Sequence, residues 1–225
     1  MTKLCVLIGE GPSERYFLPS LLEHKLGFAP LAEKSPHLFQ KGEELFWFFP
    51  FPPESTTPEG GKSRLRKTET YRTANVVIEN KSYIFTGTPE VHYRIITDHV
   101  FTDKNGQNVK KAEIEKALGD SGVPFAGCRV DIVENEIESW YFAGLNEAFP
   151  YINKNEQALL RILLGQEPER ISNPKEQMKK VLSAEAQGAI KLAGVMGEHF
   201  DIDQAKTKSQ SFNAFINALH ADGLV

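Results

Sequence analysis

Lys3-Leu4-Cys5-Val6-Leu7-Ile8-Gly9-Glu10-Gly11-Pro12-Ser13-Glu14 is the stretch that decides the fold class. Its first seven residues are almost unbroken in apolar character and close on Gly-Glu-Gly, which reads as a strand buried on both faces. A helix is expected from about Ser13, because Phe17, Leu18, Leu21, Leu22 and Leu26 recur at three- and four-residue spacing. Pro12 suits a first helical turn, Pro19 should kink the helix or mark a restart, and Gly27 should end it.

The alternation continues downstream. Val91 to Thr97 reads as a strand ending on Asp98, Val109 to Leu118 as a helix, and Gly122-Val123-Pro124 as a turn. Val130 to Val133 is a further strand running into Glu134, and Ile137 to Phe149 a helix. Earlier, Leu45 to Phe51 is aromatic enough for a strand until Pro50, Pro52, Pro53 and Pro58 break it. Ser63 to Asn80 suits a helix, although Val76-Val77-Ile78 pulls toward strand. After Pro150 the strand signal stops, and Glu156 to Leu164, Pro174 to Leu182, Ala189 to His199 and Ser211 to His220 all read as helical. The expected fold is α/β: a mainly parallel sheet flanked by helices over residues 1–150, with a helical C-terminal extension over 151–225 packed on it.

Composition narrows the function classes. Of 225 residues, 40% are hydrophobic and 25% charged, which suits a globular chain with a real core. A net charge of −4 removes any whole-chain attraction for DNA or RNA, so a polyanion must be held by a local basic patch or through metal ions. Cys5 and Cys128 each lie in an apolar run and read as small buried hydrophobes, not as a disulfide or zinc pair. The apolar run after Met1 is too short for a signal peptide, and no run approaches the roughly 20 apolar residues of a membrane span. A cytoplasmic protein with no membrane partner is expected.

Ligands of open parallel sheets bind beyond the carboxyl ends of the strands. Three strands here run into acids: Glu10, Asp98 and Glu134. Carboxylates gathered at one edge repel one another unless a positive charge sits between them, and hard oxygen donors of this kind suit Mg²⁺ or Mn²⁺. Glu14, four residues after Glu10, either reaches back toward the same pocket or answers the positive end of its helix. Glu134, Glu136 and Glu138 cannot all face one way; a helix starting near Asn135 puts Glu134 and Glu138 on one face, and these two are preferred to Glu136.

Gly9-Glu10-Gly11-Pro12-Ser13-Glu14 followed by Phe17-Leu18 resembles the opening motif of TOPRIM domains, especially those of bacterial defence nucleases related to the overcoming-lysogenization-defect (OLD) family. Glu134-Asn135-Glu136-Ile137-Glu138-Ser139-Trp140-Tyr141-Phe142-Ala143 is similar to the Glu-x-Glu-Ala-Trp-like block of a TOPRIM-like group, domain of unknown function 4276, and Asn173-Pro174-Lys175-Glu176 to a further block of it. The resemblance implies a compact sheet domain in which a first-strand Glu and an Asp-x-Asp motif bind metal. Glu10 matches the first, Glu14 the second acid of the nuclease variant, and Asp98 the start of Asp-x-Asp. The chain reads Asp98-His99-Val100, so the second Asp is missing; Asp103, Glu134 or Glu138 is left to complete the set, and His99 is open as a ligand or a general base.

Lys175 opens a helix and is a candidate for stabilising charge on a scissile phosphate. Lys62, Arg64, Arg66, Lys67 and Arg72 form the densest basic cluster; on a helix Lys62 and Arg66 share a face, and the cluster suits either a phosphate backbone or a solvated loop. Gly60-Gly61-Lys62-Ser63 lacks the first glycine and the leading strand of a P-loop. Trp140 and Tyr141 read as core. The expectation is a Mg²⁺- or Mn²⁺-dependent nuclease acting on DNA or RNA. The resemblance adds an ATPase partner and a part in anti-phage defence. The rivals are a degenerate TOPRIM domain that serves an ATPase as a non-catalytic binding subunit, and a phosphatase on small substrates.

Overall fold

The computed structural model describes residues 2–9, 12–31, 37–49, 65–85, 87–98 and 109–225, with side chains at all of these but 12, 15, 98, 109, 110, 189 and 190. Lys3–Gly9 forms β1, buried from Leu4 onward. Both its neighbours run parallel to it: β4 (Glu44–Phe48), from Lys3 opposite Glu44, and β5 (Glu90–Asp98), from Lys3 opposite Glu90 to Gly9 opposite Ile96. A strand with a neighbour on each side and cover on each face needs apolar side chains throughout, and the sequence of β1 supplies them.

β6 (Gly127–Val133) lies beyond β5, while an antiparallel edge of β3 (Leu38–Lys41) and the two-residue β2 (Ala29–Pro30) lies beyond β4. The order is β2-β3-β4-β1-β5-β6, so the sheet is mixed, with a parallel centre. The sequence reading did not anticipate β2 and β3, which are short; β3 turns into β4 at Gly42, whose φ is +61°. β4 stops at Phe48, short of the expected Phe51; residues from Pro50 lie outside those described.

The chain gathers into two compact units. The first comprises residues 1–11, 29–131 and 224, and holds the sheet with α2 (Thr68–Asn80) and α3 (Val109–Ser121). Val76-Val77-Ile78 is helical despite its β-branched run, because Tyr71, Ala74 and Ile78 bury at three- and four-residue spacing. Tyr71 on α2 meets Tyr93 on β5 edge to face, with ring centroids 6.1 Å apart. Cys5 is fully buried as expected, whereas Cys128 is only half-buried; burial still pushes its thiol up to about 11.

The second unit comprises residues 12–28, 132–223 and 225. Its helices are α1 (Pro12–His24), α4 (Ile137–Gly144), α5 (Gln157–Leu164), α6 (Pro174–Val181), α7 (Ala189–His199), α8 (Ile202–Lys208) and α9 (Gln210–Ala221). α1 runs on through Pro19, so of the two expected outcomes, a kink or a restart, the restart does not occur. It packs closely on α7: Ser20 Oγ donates to Gly194 O at 2.6 Å, and a Cβ at Gly197 would stand 2.5 Å from the Cβ of Ser20.

α4 buries every residue and ends at Gly144, five residues before the expected Phe149. The released carbonyls find tertiary partners instead of another turn. Gln204 Nε2 donates to Ala143 O at 2.9 Å and Leu145 O at 2.8 Å, and Asp201 N donates to Gly144 O at 3.0 Å. α8 was not anticipated; it starts on Asp201, whose Oδ1 accepts from Gln204 N at 2.9 Å. Among the described residues no helix is long and apolar enough to cross a membrane.

Candidate functional site

In the first unit, β5 ends on Asp98 as the sequence suggests. Glu10, His99 and Asp103 lie outside the described residues, as does the side chain of Asp98. Lys62 and Arg64 also lie outside them, along with the rejected P-loop segment. The three remaining members of the basic cluster are described. Arg66 sits in a turn before α2 and not on a helix, so no helical face joins it to Lys62. Its Nη1 pairs with Glu113 Oε2 at 2.8 Å, and Arg72 Nε donates to Ser121 O at 3.1 Å. Lys67 is exposed just before α2. Arg66 and Lys67 border a cleft shared with Glu113, Lys116 and Asp120, so the surface there carries both signs of charge.

The second unit carries the better-formed acids. Glu14 stands in the first turn of α1 and is 3% exposed. Glu138 stands in the first turn of α4 and is 5% exposed. Each precedes by one turn a member of a ring contact: Phe17 on α1 and Tyr141 on α4, with centroids 4.9 Å apart. Tyr141 Oη also donates to Ser13 O at 3.4 Å. Two buried, acid-bearing first turns therefore belong to adjoining helices.

Burial pushes Glu138 above the ordinary carboxylate range. A hydrogen bond from its own backbone N–H works against that rise, the negative charge of Glu136 adds to it, and the positive charges of Lys175 and Lys179 oppose it. Lys175 N donates to Glu136 Oε2 at 3.3 Å, which ties the start of α6 to the residue preceding α4. Lys179 Nζ is held by Glu176 Oε1 at 2.6 Å, and that pairing keeps Glu176 below its usual range. Among the described residues the Lys175 ammonium has no hydrogen-bond partner, and it acts on Glu138 through charge alone.

Glu134 and Glu138 do not share the helical face expected of them. α4 begins at Ile137, Asn135 is left-handed at φ +74°, and Glu136 is extended, so Glu134 is exposed on the corner before the helix. The corner is fixed by Asn135 Nδ2, which donates to Ile171 O at 2.8 Å. Glu136, passed over in the sequence, is the acid placed beside Glu138 and Lys175. Its signal was present, since it occupies the N-cap position of the tryptophan block.

Trp140 is wholly buried as expected: Nε1 donates to Ser211 Oγ at 2.8 Å, and its ring meets Phe212 and Phe215 at 5.2 and 5.3 Å. Asp131 was missed altogether. It is 6% exposed and receives Arg129 Nε at 2.9 Å and Arg94 Nη1 at 3.4 Å, a buried ion group inside a sequence that reads only as strand. Among the described residues no three His, Cys, Asp or Glu side chains gather closely enough to hold a metal ion.

No protein-family model matches the chain, and no curated protein does. The resemblance to domain of unknown function 4276 therefore rests on its motifs alone. Among solved structures, the chain is similar to the C-terminal region of the Burkholderia pseudomallei OLD protein, with TM-score 0.47 and 12% identity over 98% of each chain. It is also similar to the C-terminal region of the Xanthomonas campestris pv. campestris OLD protein, with TM-score 0.44 and 14% identity over 98% of this chain and 97% of that one. These likenesses concern the course of the chain and carry no argument about its chemistry.

Proposed function

We propose that this chain is a divalent-metal-dependent nuclease of the TOPRIM type, which hydrolyses phosphodiester bonds of DNA or RNA and works with an ATPase partner in defence against phage. The observation that carries this reading is the pair of buried first-turn carboxylates, Glu14 and Glu138, on helices joined by Phe17 and Tyr141. A desolvated carboxylate costs stability unless a positive charge or hydrogen bonds compensate it. The rise at Glu138 shows that its neighbours do not compensate it fully.

Oxygen donors of this kind fit Mg²⁺ or Mn²⁺. Glu14 and Glu138 would contribute ligands to the ion, with Glu134 as a further candidate. A bound divalent ion lowers the pKa of an attacking water and neutralises charge on the leaving oxygen. Lys175, with its ammonium unengaged among the described residues, would face negative charge growing on the phosphate. Glu136 would hold the first turn of α6, and with it Lys175, in place. Lys62, Arg64, Arg66, Lys67 and Arg72 would meet the nucleic-acid backbone.

The test is cleavage of plasmid DNA and of single-stranded RNA by the purified chain with Mg²⁺, Mn²⁺ or a chelator. Metal-dependent cleavage that falls by about 10²-fold or more in Glu14→Gln and Glu138→Gln, with both variants still folded, is the expected result. Full cleavage in both variants, or cleavage in chelator, removes the proposal. A second reading, a non-catalytic binding subunit, is favoured by the missing second Asp in Asp98-His99-Val100. It predicts no cleavage and no thermal stabilisation by metal, together with co-purification with an ATPase.

A further inference from the structure

A second cavity lies within the first unit, at the opposite end of β5 from Asp98. Its volume is about 690 Å³, and its walls come from α2, the stretch leading into β5 and the loop before β6. Ile78, Phe85, Val91 and Phe125 supply apolar surface, while Glu79 and Glu90 supply the charge. β5 begins at Glu90 and ends at Asp98, so eight strand steps of about 3.3 Å, roughly 26 Å in all, separate this cavity from the strand end used above.

Three features make it a binding site and not a packing gap. Its size falls in the range of pockets that bury small organic ligands, roughly 300–1,000 Å³. Its aromatic surface is partly open, for Phe125 is 41% exposed. Its charge has one sign, for among the described residues no lysine or arginine lines it.

The two acids are also held in place. Glu79 Oε1 accepts from Asn75 Nδ2 at 2.8 Å, and Glu90 Oε1 is hydrogen-bonded to His92 Nε2 at 2.8 Å. Among the described lining residues the polar groups besides these acids are neutral, Asn75, Ser82 and Thr88, so no cation in the wall would attract an anion.

We propose that this cavity binds a small organic cation: an apolar, preferably aromatic body seated against Phe125 and Ile78, with a nitrogen cation directed at Glu79 and Glu90. An anion of the same shape would meet the repulsion of two carboxylates, and a neutral analogue would lack the charge attraction.

The experiment titrates the full chain with 4-phenylbutylamine, 4-phenylbutan-1-ol and 4-phenylbutyrate, followed by NMR shift perturbation. The amine is expected to bind about fivefold more tightly than the alcohol, in keeping with exposed ion pairs, and the acid most weakly. Glu79→Gln with Glu90→Gln should make amine and alcohol equal while leaving alcohol binding unchanged. Ala126→Trp, at an exposed wall position, should abolish binding of all three. Equal binding of all three probes, preference for the acid, or no saturable binding of the amine at millimolar concentration overturns the proposal. So does an amine preference that survives in the double variant, or tight binding only of a basic peptide such as Phe-Lys-Lys.

Discussion

Arg94 Nη1 donates to Asp131 Oδ2 at 3.4 Å, and both side chains are shut off from solvent on neighbouring strands. Burial lifts Asp131 above its ordinary range even though the charges of Arg94 and Arg129 pull it down, so desolvation outweighs attraction. Asp131→Ala should cost about 3–5 kcal/mol, because Arg94 stays buried without that carboxylate. The double change Arg94→Met with Asp131→Leu should be far milder. Urea denaturation of the three proteins checks this; a double variant as unstable as the single one contradicts it.

Glu138 gives a pH prediction whose sign follows from its direction. A carboxyl raised on folding binds its proton more tightly in the folded chain, so its contribution is favourable below the ordinary 4.5 and lost as pH climbs through the folded value. Without metal, Glu138→Gln should match the wild type in acid and exceed it at neutral pH by a few degrees of Tm. Thermal melts between pH 4 and 8 read this directly. A variant less stable than wild type at pH 7 shows the acid to be structural.

Lys175 and Lys179 both act on Glu138, but only Lys179 is held in an ion pair. Lys175→Ala should lower cleavage by about 10²–10³, the usual cost of losing a transition-state donor. Lys179→Ala should change it little. Because both residues are exposed, neither change should shift Tm by more than about a degree. Equal losses of activity would assign the effect to general surface charge.

Trp140→Ala should cost about 3–5 kcal/mol, through lost contact with Phe212 and Phe215. Trp140→Phe should restore most of that. If either variant instead kept its stability and lost nucleic-acid affinity, the ring would have to be a stacking platform.

The legible parts of the fold were those fixed by local pattern. β1, β5 and β6 follow from apolar runs, and α7 has the bounds that periodicity gives it. The reading erred where distant groups decide. Gln204 and Phe200 end α4 at Gly144, and no residue near Phe149 announces this. Likewise Asn135 adopts a left-handed conformation held by Ile171 O, which turns Glu134 out and leaves Glu136 in. Of the candidate acids, Glu14 and Glu138 stand in the first turns of helices, as a charge ahead of an apolar stretch suggests. Asp131 was not legible, because a strand hides which of its residues finds an arginine.

Ser20 and Gly194 touch across 174 positions of sequence. During synthesis α1 leaves the ribosome well before the helix it packs against. Leu18, Leu21 and Leu22 must wait without their final cover, so completion of this unit is a late, long-range closure of the kind that slows folding. A fragment that omits residues 12–28 would lay the Gly194–Gly197 groove open to any passing helix, and aggregation is its expected fate.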